Sequence, residues 1–126
     1  MDIAHVNCKP VFYHQYALSK FKDEKYKLAV CSNSVRNSVK VMIEKSALLE
    51  YLDFYLSNED VKKSKPDPEI YNNAINRLKL SPKECLIIED NPNGVKAAIA
   101  SGAHVMKVDK ITDVNYFNIS NFIKNL

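Results

Sequence analysis

Short apolar runs alternate with amphipathic stretches along almost the whole chain, and that alternation leaves few folds open. Leu28-Ala29-Val30-Cys31, Phe54-Tyr55-Leu56, Cys85-Leu86-Ile87-Ile88 and the run from His104 to Val108 are short and largely apolar. Continuous apolar runs of this length are carried by strands buried on both faces. Between them apolar residues recur at helical spacing: Ala17, Leu18 and Phe21; Val35, Val39, Met42 and Ile43; Ile70, Ala74, Ile75 and Leu78; Val95, Ala98 and Ile99. Ile119, Phe122, Ile123 and Leu126 predict a docked terminal helix. Strands alternating with helices predict an α/β domain on a parallel sheet.

Local signals punctuate the same plan. Ser32-Asn33-Ser34 stops the first strand with polar groups, and 57–65 reads as a polar loop. Asp67-Pro68 predicts a helix start with aspartate at the N-cap and proline in the first position, and Asn91-Pro92 repeats the signal. Gly102, one of only two glycines, suits a helix C-cap. At 126 residues, 46% hydrophobic and 26% charged, the chain is one globular domain spanning 1–126, without repeat, linker or low-complexity tract.

Several functional classes are set aside at this stage. Lysine plus arginine is 18 against 15 acidic residues, and Arg36 and Arg77 are the only arginines. Lysines scattered among carboxylates describe a solvated surface, not the clustered basic patch of a nucleic-acid binder. No apolar run approaches the roughly 20 residues of a membrane span, and 1–10 lacks the pattern of a signal peptide. Cys8, Cys31 and Cys85 have neither disulfide-framework nor zinc spacing. A cytoplasmic location is expected.

In an open parallel sheet, ligands bind beyond the carboxyl ends of the strands. There the sequence places Ser32 and Asn33 after the first strand, Lys65 ahead of the third helix, and Glu89-Asp90 after the third strand, with Gly94 just beyond. A hydroxyl, backbone amides and an ammonium suit a phosphoryl group, and paired carboxylates suit Mg²⁺, which takes oxygen ligands together with substrate phosphate. Each residue also has a plainer reading. Serine at a strand end is commonly a cap, lysine in a loop a solvated cation, and Glu-Asp a complement to the following helix dipole.

Order and spacing add to this. Strand-Ser-Asn, then Ser-Lys-Pro-Asp-Pro-Glu-Ile-Tyr, then Leu-Ile-Ile-Glu-Asp-Asn-Pro-Asn-Gly-Val-x-Ala-Ala-x-x-Ser-Gly-Ala resembles the haloacid dehalogenase-like (HAD) hydrolases, in the branch of β-phosphoglucomutase and phosphoglycolate-type phosphatases. The resemblance runs from about Tyr13 to Val108 and implies a Rossmann-like core and a phosphatase or phosphomutase acting on a small phosphorylated metabolite through an aspartyl-phosphate. It implies that Ser32 and Asn33 bind phosphate, that Lys65 neutralises phosphate and nucleophile, and that Glu89 and Asp90 bind Mg²⁺. The family's first motif, Asp-x-Asp, occurs nowhere in this sequence, and Asp2 is followed by Ile3-Ala4-His5. The family's helical cap has no counterpart either.

In the family the first-motif strand lies between the strands matching 28–31 and 85–88. The core is therefore expected to be incomplete at its N-terminus, with a gap filled by a complementing N-terminal segment, by residues 1–8 or by a dimer partner. The chain alone is expected to show little phosphatase activity. The competing readings are a non-catalytic phosphate- and Mg²⁺-binding pseudo-enzyme or fragment, and a receiver-type signalling domain, which places its acidic pair first and its lysine last, the reverse of the order here.

Overall fold

A computed structural model describes residues 12–126. The elements run α1 (Phe12–Asp23), β1 (Ala29–Cys31), α2 (Arg36–Lys45), β2 (Phe54–Leu56), α3 (Glu69–Leu78), β3 (Leu86–Glu89), α4 (Pro92–Ser101), β4 (His104–Lys107) and α5 (Tyr116–Lys124). Short 3₁₀ turns connect several of them. Residues 1–8, considered above as a substitute strand, lie outside the described residues, as does Cys8.

Both strand pairings are parallel, as the alternation predicts. Ala29 sits opposite Phe54 and Cys31 opposite Leu56; Leu86 sits opposite His104 and Glu89 opposite Lys107. Among the described residues the four strands nevertheless form two sheets, β1-β2 and β3-β4, with no ladder joining β1 to β3. Helices hold the two pairs together. On one face Cys31 and Leu56 share a core with Ile87 through Ile70, Ala74 and Ile75 of α3 and Ala97 and Ala98 of α4. On the other face Leu28, Leu86 and Ile88 pack into a cluster with Ala17 and Phe21 of α1 and Ile119 of α5. A third cluster sets Val39, Met42 and Ile43 of α2 against Val30 and Tyr55.

The helix starts follow from side-chain chemistry. Asn91 caps α4 by accepting from the Asn93 amide at 2.9 Å, with Pro92 next, and Gly102 closes the helix at φ 84°. At α3 the boundary differs by one residue from the sequence expectation. Pro68 is the N-cap, and Asp67 caps from one position earlier, accepting from the Glu69 amide at 3.0 Å. The apolar stripes also shift. Val35, Ile99 and Leu126 are exposed, and α4 instead buries its small residues Gly94, Ala97, Ala98 and Ser101. Close approach of α4 to the strands needs small side chains, which a stripe chosen by hydrophobicity passes over.

Ile70 and Ile99 test this packing as a pair. Ile70 is fully buried in the cluster shared by the two sheets, whereas Ile99 is 63% exposed. Ile70→Ala is expected to lower stability by about 2–5 kcal/mol, and Ile99→Ala by less than about 0.5 kcal/mol, both read from urea unfolding midpoints.

Candidate active site

Glu89 is the last residue of β3 and is fully buried. Strand alternation turns it to the same side as Ile87, toward α3 and α4. An isolated carboxylate there would be very costly, so it is surrounded by donors. Lys65 Nζ donates to its Oε2 at 3.1 Å and the Tyr71 hydroxyl to the same oxygen at 2.6 Å. The Asp90 and Asn91 amides donate to Oε1 at 3.1 and 3.2 Å. Burial pushes the Glu89 carboxyl up, the Lys65 ammonium, the Tyr71 hydroxyl and the Asn91 amide pull it down, and the group lies below the ordinary carboxylate range.

Lys65 is buried as well. Its ammonium donates to the Cys31 carbonyl at 3.0 Å, at the carboxyl end of β1, and lies 4.9 Å from the centre of the Tyr71 ring. One side chain thus joins the ends of the two sheets. The loop that delivers it is fixed from several directions. Ser57 and Asp60 form a capping box, Glu69 accepts from the Lys62 and Lys63 amides at 2.9 and 3.2 Å, and Asn33 Oδ1 accepts from the Lys65 amide at 3.3 Å. The Lys65–Pro66 peptide is cis.

The remaining residues singled out from sequence fall around this pair in different states. Ser32 is fully buried, its hydroxyl accepting from the Ser34 amide at 3.1 Å and its own amide donating to the Leu56 carbonyl. Asn33 and Asp90 are exposed. Asp90, next to Glu89 in the chain, is exposed, whereas the Glu89 oxygens are already engaged by lysine, tyrosine and two amides. The structure places the two carboxylates expected to bind Mg²⁺ differently: Glu89 is buried and ties the strand ends together through Lys65, and Asp90 is exposed. Burial pushes the Cys31 thiol up to about 11, so it is protonated and unreactive at neutral pH.

Two parts of the site escape the sequence reading. Tyr71 follows Ile70 on the buried face of α3 and lies outside the predicted stripe, although it ends the Pro-Glu-Ile-Tyr run. Gly94 lies against Glu89: a Cβ there would stand 2.1 Å from Glu89 Cδ and 2.2 Å from Oε2. A glycine in the first turn of a helix, five residues after a buried carboxylate, is the available signal for this contact.

The model of the haloacid dehalogenase-like hydrolase family matches residues 2–108. A haloacid dehalogenase-like hydrolase domain-containing protein of Arabidopsis thaliana is 43% identical over 79 residues, which are 60% of this chain and 25% of that protein. A phosphorylated carbohydrates phosphatase of Thermotoga maritima is 33% identical over 86 residues, 68% of this chain and 40% of that protein. Among solved structures, a HAD-superfamily hydrolase from Ehrlichia chaffeensis superposes with a TM-score of 0.75 at 27% identity, covering 88% of this chain and 56% of that one. The chain spans less than half the length of either curated relative.

Proposed function

The chain belongs to the haloacid dehalogenase-like hydrolases, and from there we propose that it forms the phosphate- and metal-binding half of a phosphomonoesterase site for a small phosphorylated metabolite. The name of the Thermotoga maritima relative favours a phosphorylated carbohydrate. The observation that carries the reading is the Lys65 ammonium held at 3.0 Å from the end of β1 and 3.1 Å from Glu89 at the end of β3, with Asp90, the next residue, exposed. A receiver-type reading would need the opposite chain order.

In this proposal Lys65 supplies fixed positive charge for a phosphoryl oxygen, and Glu89 holds that ammonium without competing for the metal. Asn33 presents its exposed amide to the phosphate, and Ser32 shapes the turn that carries it. The donor set fits Mg²⁺ through Asp90, because Mg²⁺ commonly takes one or two carboxylates and completes its shell with substrate phosphate and water. When bound, the ion would neutralise charge on the phosphate. The nucleophile would come from an aspartate outside this sequence, which contains no Asp-x-Asp.

Calorimetric titration of the purified chain with inorganic phosphate in the presence of Mg²⁺ tests the reading. Binding is expected, and Asp90→Asn is expected to weaken it by about tenfold or more, the worth of one charge-assisted contact. Chelation of Mg²⁺ is expected to reproduce that loss. With p-nitrophenyl phosphate the chain alone is expected to give no sustained turnover, since covalent catalysis does not survive the loss of its nucleophile. Phosphate binding indifferent to both Mg²⁺ and Asp90 would refute the proposed site.

A further inference from the structure

Tyr71 is buried in the first turn of α3, and helical side chains lean toward the N-terminus of their helix. That lean carries its ring to the carboxyl ends of β1 and β3, where it meets both members of the buried ion pair by different means. The ring centre lies 4.9 Å from Lys65 Nζ, within reach of a cation–π contact. The hydroxyl donates to Glu89 Oε2 at 2.6 Å, the length of a strong charge-assisted bond. The same oxygen accepts from Lys65 Nζ at 3.1 Å, while the Asp90 and Asn91 amides donate to Oε1. Tyrosine and lysine therefore share one carboxylate oxygen.

Sharing has a consequence for the lysine. An ammonium carries three hydrogens, and two of them go to the Cys31 carbonyl and Glu89 Oε2. In the proposed function the third goes to a phosphoryl oxygen, so Glu89 and phosphate draw on one cation. A hydroxyl bonded to Oε2 offsets part of that oxygen's charge and weakens its pull on the ammonium. Glu89 is also walled in on the α4 side, where a Cβ on Gly94 would stand 2.2 Å from Oε2. Loss of the hydroxyl would thus change how strongly Glu89 holds Lys65 more than where Glu89 lies.

We propose that Tyr71 is a positioning residue of the phosphate site: its ring flanks the Lys65 ammonium and its hydroxyl tempers the Glu89 carboxylate, so that Lys65 Nζ is held in place while its third hydrogen goes to the phosphate. The role rests on the proposed function for the identity of the ligand. Tyr71 acts through Lys65 and Glu89 and does not itself touch the phosphate. Phenylalanine at this position would keep the ring and the packing but let Glu89 compete harder for the lysine, which separates the two parts of the role.

Calorimetric titration of the full chain with inorganic phosphate in the presence of Mg²⁺ tests the role, together with NMR of the Lys65 ammonium and the Tyr71 hydroxyl proton. Tyr71→Phe is expected to shift the ammonium signal of the phosphate-free protein and to weaken phosphate binding about tenfold, as loss of a partner that orients a ligating side chain commonly does. Tyr71→Leu, which also removes the ring, is expected to weaken it further. Replacing Tyr71 by 4-aminophenylalanine keeps a ring and an N–H donor and is expected to recover most of the lost affinity. In the wild type, phosphate is expected to move the ammonium signal and, through Oε2, the hydroxyl proton signal, a readout that needs no variant to fold. Unchanged affinity in Tyr71→Phe, whatever its stability, would overturn the proposal and leave the proposed function standing. So would a wild-type hydroxyl signal that phosphate does not move, or weaker binding with an unmoved ammonium signal. A wild type that binds no phosphate would retire the proposed function and this role with it.

Discussion

Glu89→Ala is expected to leave the protein unfolded, or close to it, at neutral pH. The substitution strips the Lys65 ammonium of its counter-charge inside the protein and leaves the Tyr71 hydroxyl and the amides of Asp90 and Asn91 without their acceptor. Breaking a buried ion pair by removing one partner costs about 3–5 kcal/mol, against a typical total stability of about 5–15 kcal/mol. Removing both charges is a different matter, since replacing a whole buried pair by uncharged groups is often neutral. The double variant Lys65→Met, Glu89→Gln is therefore expected to be more stable than either single one. Urea unfolding of the four proteins yields the coupling as a double-mutant cycle.

Acid should act on the same pair. The Glu89 carboxyl in the folded state lies below its ordinary value of 4.5, so its contribution is fully present above that value and is lost as pH falls through the lower folded value. The wild type is expected to lose stability below about pH 4.5 more steeply than the double variant.

Gly94→Ala is expected to be nearly as damaging, although it adds a single methyl group to a helix. Its Cβ would fall 2.1 Å from Glu89 Cδ and 2.5 Å from Cγ. An exposed side chain would swing aside, but Glu89 is buried and tied to Lys65, Tyr71 and two backbone amides. Overpacking costs about 1–3 kcal/mol by itself, and displacing Glu89 adds to it by disturbing the ion pair. In an ordinary helix interior the same change would stabilise by a few tenths to 1 kcal/mol. The sign of the change in melting temperature decides between the two: a fall reports the contact with Glu89, and a rise reports helix propensity alone. Gly102→Ala also strains the backbone, at φ 84°, but meets only Pro82 Cβ at 3.5 Å, so it is expected to leave the Glu89 cluster intact.

Much of this architecture was legible in the residues. The runs at 28–31, 54–56 and 104–108 each contain the strand found there, and 85–88 covers all of β3 but its last residue, Glu89, because a strand buried on both faces has little freedom to be polar. Asn91-Pro92 and Gly102 mark the two ends of α4, since each signal satisfies a specific orphaned backbone group or a positive φ. Less legible was anything set by contacts between elements. Ile99 looks like a core residue at helical spacing, yet the buried face of α4 is chosen by how closely Gly94, Ala97 and Ala98 let the helix approach. The different states of Glu89 and Asp90 were hidden for the same reason. Adjacent carboxylates look alike in a sequence, and only the folded chain turns one inward to lysine and tyrosine and the other toward water.

A crystal structure of the protein grown with Mg²⁺ and inorganic phosphate measures the central claim most directly. A phosphate oxygen is expected within hydrogen-bonding distance of Lys65 Nζ, with the cation on the Asp90 carboxylate and Glu89 still bound to Lys65 and Tyr71. Phosphate found only at surface lysines, with Lys65 Nζ engaged by the Cys31 carbonyl and Glu89 alone, would contradict the account.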